Sequence, residues 1–349
     1  MKAAVCEEPR KITLRDVKVP APGPGEVLVK VKASGICKSD VKGYLGTHPG
    51  VIYPMILGHE FSGEVAALGE GVESAYGGAP LQVGDAVIVE PLFPCGECAA
   101  CLAGDYNLCY GLTMAGHQTP GSFAEYAIAK AALLYPKDRS LSFDEAALIE
   151  PLAVAVHAVK RAGISIGDMV IVIGAGTIGL LTIQVAKKAG AMVIATDISS
   201  DKLHLAADLG ADYVVNADTS DPHELVMAMT KGRGADVVIE CAGTPQTLMQ
   251  MADLVRKGGT ITMIGWTGNE SDRIPLTKIT RYEINLLGSI IYCRDFPTAI
   301  ELAVSREVNL NSIISHEFEL SEVGEALEEL ADGQHDIVKA IIKFPEQED

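Results

Sequence analysis

The stretch MVIVIGAGTIGLLTI, residues 169–183, limits the fold of this chain more than any other. Val170 to Ile173 are apolar at every position, as in a strand covered on both faces. Gly174-Ala175-Gly176-Thr177-Ile178-Gly179 follows at once and opens a helical stretch. In such a turn the first glycine permits the tight reversal. The second lets backbone amides approach a pyrophosphate, and the third lets the helix pack close to the sheet. The helix N-terminus adds positive dipole. Asp197 ends the next apolar run, VIATD. A carboxylate there holds both ribose hydroxyls of NAD and repels the 2′-phosphate of NADP. The pattern predicts an NAD site built from Gly174, Gly176, Thr177, Ile178, Gly179 and Asp197. Lys202 is either a further contact to the adenosine ribose or phosphate, or a solvated helix lysine.

The surrounding sequence repeats this alternation. AMVIATD, DYVVNA, ADVVIECAG and GTITMIG are strand-like runs separated by helical stretches. That is the signature of an α/β Rossmann domain with a doubly wound parallel sheet, here over residues 153–286. Residues 1–152 read differently, as short strand-like runs separated by Gly, Pro and Asp. Residues 287–349 are mixed and are expected to return to that first, β-rich domain. In SEVGEALEEL, Val323, Ala326, Leu327 and Leu330 share one helix face, with Ser321 as N-cap and Gly333 just past the end. A chain of 349 residues has room for two such domains.

A net charge of -18 argues against nucleic acid and anionic membranes as partners. No signal-type core opens the chain, and no apolar run reaches the ~20 residues a span needs. The expectation is a soluble, cytoplasmic protein. A reducing compartment leaves the eight cysteines in need of a role other than disulfides.

Cys95, Cys98, Cys101 and Cys109 supply one role, as C-x2-C-x2-C-x7-C in a Pro/Gly-rich lobe of about residues 93–111. Four thiolates fill a tetrahedral zinc shell and leave no open position, so the site predicted is structural. The bacterial iron–sulfur pattern closes with a three-residue gap and a proline. Here the gap is seven and Tyr110 follows.

A second constellation fits catalysis. Catalytic zinc takes three protein ligands and keeps one position open. Cys37 offers a thiolate and His59 an imidazole. Glu60 and Glu150 compete for the third place. Glu60 reaches the same metal as His59 only through a sharp backbone turn, which Gly58 and Gly63 allow. Glu150 sits at a helix junction, after the capping box of SFDE and before Pro151. Asp40 is a partner for the His59 ring N–H. Ser39 is placed to accept the proton of an alcohol substrate. Cys6, Cys241 and Cys293 read as small buried residues, and His117 and His157 either as packing or capping residues or as side chains lining the cleft.

GHEFSGEVAALGEGV, VEPLFPCGECAACLAGDYNLC, GSFAEY, ALIEPLAVAVHA and FPTAIEL together resemble the zinc-dependent medium-chain alcohol dehydrogenases. Within them the likeness is to the polyol (sorbitol, xylitol), butanediol and threonine dehydrogenases. The resemblance implies a GroES-like catalytic domain from residues 1–152 and 287–349, a Rossmann domain at 153–286, and an active site in the cleft. It implies one catalytic zinc on Cys37, His59 and Glu60, with Glu150 as ligand or water-bridged neighbour, and one structural zinc. It also implies a homodimer or homotetramer, with Gly288 to Tyr292 near a subunit contact. Three positions depart from the pattern. Lys42 stands where relatives often end a proton relay on histidine. Lys38 replaces glycine or arginine. Ile291-Tyr292 replaces an Arg-Tyr pair, which weakens a sorbitol-like assignment.

The resulting expectation is NAD-dependent oxidation of a secondary alcohol, a polyol or vicinal diol, to a ketone. Oxidation of L-threonine or another amino alcohol is the alternative. A non-catalytic zinc- and NAD-binding protein is the reading from another class, and the Cys37, Ser39, His59 and Glu60 set argues against it.

Overall fold

The structure, a computed structural model, describes residues 1–266, 273–333 and 337–344. The chain forms two compact units, Met1–Glu150 with Leu310–Asp349, and Pro151–Asn309.

The first unit is built on a seven-stranded sheet. Its axis is β1 (Glu26–Gly35), which is followed by helix α1 (Lys38–Tyr44). Strand β2 (Glu60–Leu68) lies antiparallel to β1, with Gly35 opposite Glu60. The C-terminal strand Lys339–Lys343 also pairs antiparallel with β1, with Ile341 opposite Gly35. Two registers, set by apolar alternation along β1, therefore bring three distant segments to one point. Val27, Val29 and Val31 enter one core with Phe61 and Val65. Ile36, Leu57, Phe123, Leu327 and Ile342 form another. The N-terminal and C-terminal parts of this unit thus share both a sheet and a core. The C-terminal helix is Val323–Ala331. Ser321 lies in a 3-10 turn, Leu320–Glu322, and Glu322 takes the N-cap position expected of Ser321.

Helix α2 (Ile149–Ala162) leads into the second unit. There β3 (Met169–Ile173), helix α3 (Thr177–Lys188), β4 (Met192–Asp197), β5 (Tyr213–Asn216), β6 (Ala235–Glu240), β7 (Val255–Met263) and β8 (Asn285–Gly288) follow in turn. All pairings are parallel, in the order β5-β4-β3-β6-β7-β8. The strand order reverses at β3, which is where this architecture opens a crevice at the carboxyl ends of its strands. The expected second boundary at 286 cuts through β8, and the unit runs on to Asn309. Pairing of β8 with β7 holds it in the parallel sheet, and buried Phe296, Ala299 and Ala303 anchor the helix Phe296–Val304 that follows.

Candidate active site and zinc lobe

The junction of β1, β2 and the C-terminal strand assembles the first site. Cys37 N-caps α1, two residues past the end of β1. His59 immediately precedes β2, and Gly58 turns the chain there with φ 92°. Gly63 has a different task. A Cβ on it would fall 2.1 Å from the Lys30 carbonyl oxygen, so it permits close pairing of β2 with β1 and makes no turn. Gly35 makes room for Glu60: a Cβ there would lie 2.1 Å from Glu60 Oε2. As a result one ligand atom each of Cys37, His59 and Glu60 lies within 4.8 Å of the others. Thiolate, imidazole and carboxylate at that spacing fit a zinc ion with three protein ligands. Glu150 is buried nearby but is not one of this trio.

Buried neighbours tune the trio. Asp40 is fully buried and accepts N–H bonds from Cys37 at 2.9 Å and Gly58 at 3.0 Å. Its Oδ1 stands 3.3 Å from His59 Nδ1, the partnership expected from sequence. Burial alone would lower the His59 pKa, but Asp40 and Cys37 outweigh it and hold the imidazole well above its usual range. A divalent cation displaces such protons. Ser39 Oγ is 3.4 Å from His59 Nε2, so its hydroxyl lies at the trio. Burial, and then Lys38, lowers the Lys42 ammonium pKa.

One participant was invisible in the sequence. Lys339 is 2% exposed, pairs with Glu60 Oε2 and donates to the Ile36 carbonyl at 3.0 Å. Burial lowers its pKa, and Glu60, Cys37 and Glu150 raise it further than burial lowers it. A lysine opening a short apolar strand reads as exposed, and only the pairing of that strand with β1 reveals otherwise.

The cysteine lobe is compact. Cys95 Sγ lies 3.9 Å from Cys101 Sγ and 3.5 Å from Cys109 Sγ. A tetrahedron with Zn–S of about 2.3 Å has edges of about 3.8 Å, so the thiols are spaced for zinc and too far apart for disulfides. The N–H groups of Cys95 and Cys98 donate to Cys109 and Cys95 sulfurs. Backbone donation from Cys101 and Tyr110 pulls the Cys98 thiol down to about 6. Four thiols fill the shell, so this lobe fits a structural zinc.

In the second unit Gly174 turns with φ 95° at the end of β3, and Gly176 caps α3. A Cβ on Gly179 would fall 1.8 Å from the Gly174 carbonyl oxygen, whereas one on Gly176 would meet nothing within 4 Å. The third glycine therefore serves packing, and the second opens onto free space suited to a pyrophosphate. Thr177 and Ile178 form the first turn of α3. Asp197 Oδ2 accepts from Ala175 N at 2.6 Å and Oδ1 from Ser199 N at 2.9 Å, which fixes the carboxylate beside the glycine turn. Lys202 lies in the first turn of the next helix, Ser200–Asp208. Sequence reasoning missed Glu240, fully buried at the end of β6. Its Oε1 accepts from Ala242 N, Gly243 N and Thr247 Oγ1 at 3.0, 2.8 and 2.8 Å, which shapes the loop facing Gly174. The His157 Nδ1–H donates to the Asp295 carboxylate at 2.7 Å, a packing role within this unit.

A Rossmann crevice and a Cys-His-Glu trio that fits a zinc ion, on one chain, are the features of a dehydrogenase of the zinc type, and comparison bears on the same point. Residues 23–139 match the alcohol dehydrogenase GroES-like domain, and residues 177–305 match the zinc-binding dehydrogenase family. A sorbitol dehydrogenase of Halalkalibacterium halodurans is 40% identical over 319 residues, 90% of this chain and 91% of that protein. A D-xylulose reductase of Saccharomyces cerevisiae is 37% identical over 361 residues, 99% of this chain and 98% of that one. The crystal structure of a 2R,3R-butanediol dehydrogenase from Bacillus subtilis superposes with a TM-score of 0.88 at 31% identity, covering 99% of each chain. The chain belongs to the zinc-dependent medium-chain alcohol dehydrogenases, in their polyol branch.

Proposed function

We propose that the chain oxidises a secondary alcohol of the polyol or vicinal-diol class to a ketone, reversibly and with NAD. The observation that carries this reading is the Cys37–His59–Glu60 trio, a three-ligand set within 4.8 Å on abutting strand ends. When bound there, zinc would polarise the substrate oxygen as a Lewis acid, and the nicotinamide would take the hydride. The chain's own residues do the rest. Cys37, His59 and Glu60 hold the metal, and Asp40 orients the His59 ring. Ser39 Oγ takes the substrate hydroxyl proton and passes it outward, towards Lys42 or water. Gly174 to Gly179 seat the pyrophosphate, and Asp197 selects NAD over NADP. Cys95, Cys98, Cys101 and Cys109 hold the structural zinc. Glu150 acts on the trio through Lys339. We further place the protein in the cytoplasm as a homodimer or homotetramer, assembled near the sheet edge at β8.

The test is NADH formation with a panel of vicinal diols, C4 to C6 polyols, simple secondary alcohols and L-threonine, with NAD and NADP, before and after chelation. Activity on diols or polyols with NAD, lost on chelation and restored by zinc, is the expected result. Activity confined to L-threonine would move the substrate class to amino alcohols. Silence from a zinc-loaded, NAD-binding protein would return it to the non-catalytic class.

A further inference from the structure

The first site contains a buried polar group that the proposed chemistry leaves unused. His117 sits on a loop packed directly against the turn that delivers His59. A Cβ on Gly116 would fall 2.7 Å from the Gly58 carbonyl oxygen, and one on Gly121 2.2 Å from it. The His117 ring stands 5.0 Å from the His59 ring, centroid to centroid, and tilted by 54°. One His117 ring nitrogen lies within 4.8 Å of ligand atoms of both His59 and Asp40. Only 8% of the residue is exposed, and Nε2 has no hydrogen-bond partner. Buried polar nitrogens are normally satisfied, so one left open beside a metal trio points to a ligand.

The ring is also held in place. His48 also packs against it, with centroids 4.2 Å apart. His48 Nδ1 accepts from Gly50 N at 3.1 Å, and the Gly50 carbonyl accepts from Gln118 Nε2 at 3.2 Å. Gln118 is the residue after His117, so its own neighbour braces the stack. A ring fixed in this way can read a substrate atom without first being ordered.

We propose that His117 Nε2 hydrogen-bonds a second substrate hydroxyl, on the carbon beside the one oxidised, and so selects vicinal diols and polyols over simple secondary alcohols. This rests on the function proposed above and names the specificity element of that same site. A hydroxyl is both donor and acceptor, so it satisfies Nε2 in either imidazole tautomer. An alcohol lacking that hydroxyl leaves the nitrogen buried and unmet, which is the arrangement by which sites reject such analogues.

The experiment compares 2,3-butanediol with 2-butanol on the zinc-loaded enzyme with NAD. The quantity read is the ratio of the two kcat/KM values, in wild type, His117→Phe and His117→Asn. Loss of one satisfied hydrogen bond should lower the diol-to-monoalcohol ratio about 10- to 100-fold in His117→Phe. His117→Asn, which restores a polar group, should recover part of it. Affinity of the diol for the enzyme–NADH complex, read by NADH fluorescence, should weaken in parallel. A ratio unchanged in His117→Phe, even if both rates fall, would overturn the proposal and leave His117 a packing residue. If His117→Phe does not fold, a wild-type ratio together with unchanged diol affinity in His117→Leu, which also removes the polar nitrogen, overturns it equally. Wild-type enzyme active on no diol or polyol of the wider panel after zinc loading would instead sink the underlying function, and is recognised by absent turnover before any variant is made.

Discussion

The chain carries two thiol-containing clusters, and they are built in opposite ways. Cys95, Cys98, Cys101 and Cys109 lie within one short loop, largely at the surface. Cys37 comes from one segment and the adjacent pair His59-Glu60 from another, and all three are buried or half-buried, with Asp40 and Lys339 packed beside them. A local cage can close completely around a metal, because nothing else needs to reach it. A cage assembled at a strand junction keeps an open side, and its charges must be balanced by further buried groups. The first design suits stability and the second suits chemistry.

The sharpest way to break this comparison is to remove a thiol from each cluster. Cys37→Ala should lower kcat/KM about 10^4-fold, since the metal's transition-state stabilisation is worth several kcal/mol. Metal analysis should then find the lobe zinc retained. Cys101→Ser should do the reverse. It should lose the lobe zinc and about 4 kcal/mol of stability, read by denaturant unfolding, as loss of a structural metal does. Equal losses of activity from the two variants, at equal folded fraction, would erase the distinction.

Lys339 provides a finer test. Its ammonium is buried against Glu60, so Lys339→Met leaves a buried carboxylate uncompensated. Chelated Lys339→Met protein should unfold about 3 kcal/mol more easily than chelated wild type, and zinc should recover more stability in the variant. An identical zinc-dependent gain in both proteins would mean that the lysine does not balance the trio.

How much of this was readable in advance follows from the same contrast. The cysteine lobe and the glycine turn each lie within about fifteen residues, so spacing alone identified them. The positions of Asp197 beside the glycine turn and of Asp40 beside His59 were also legible, because each lies a short fixed distance from its motif. Which carboxylate stands beside Cys37 and His59 was not. It depends on Gly35 standing opposite Glu60, and strand register is a non-local property. Lys339 was missed for the same reason, since it reaches the trio through the pairing of Ile341 with Gly35. Glu240 looked like the polar end of a strand, and its role appears only with the loop it holds. The second domain boundary failed because β8 is short and no glycine motif marks it as part of the parallel sheet.

Ser39 gives the smallest effect and the strictest test of the open-sided design. Its Oγ lies 3.4 Å from His59 Nε2, yet it is absent from the metal trio. If it only packed against the ligands, Ser39→Ala would alter zinc affinity and leave turnover per bound zinc unchanged. If it carries the substrate proton, zinc content should stay at wild-type level while kcat falls about 10^2-fold, the lower range for loss of a proton-transfer group. Ser39→Thr keeps the hydroxyl and should recover most of that loss. A full rate in Ser39→Ala at full zinc occupancy would show that the proton leaves the open side directly to water. The serine would then belong with the ligand scaffold, and the trio would differ from the lobe only in its three-ligand, open-sided design.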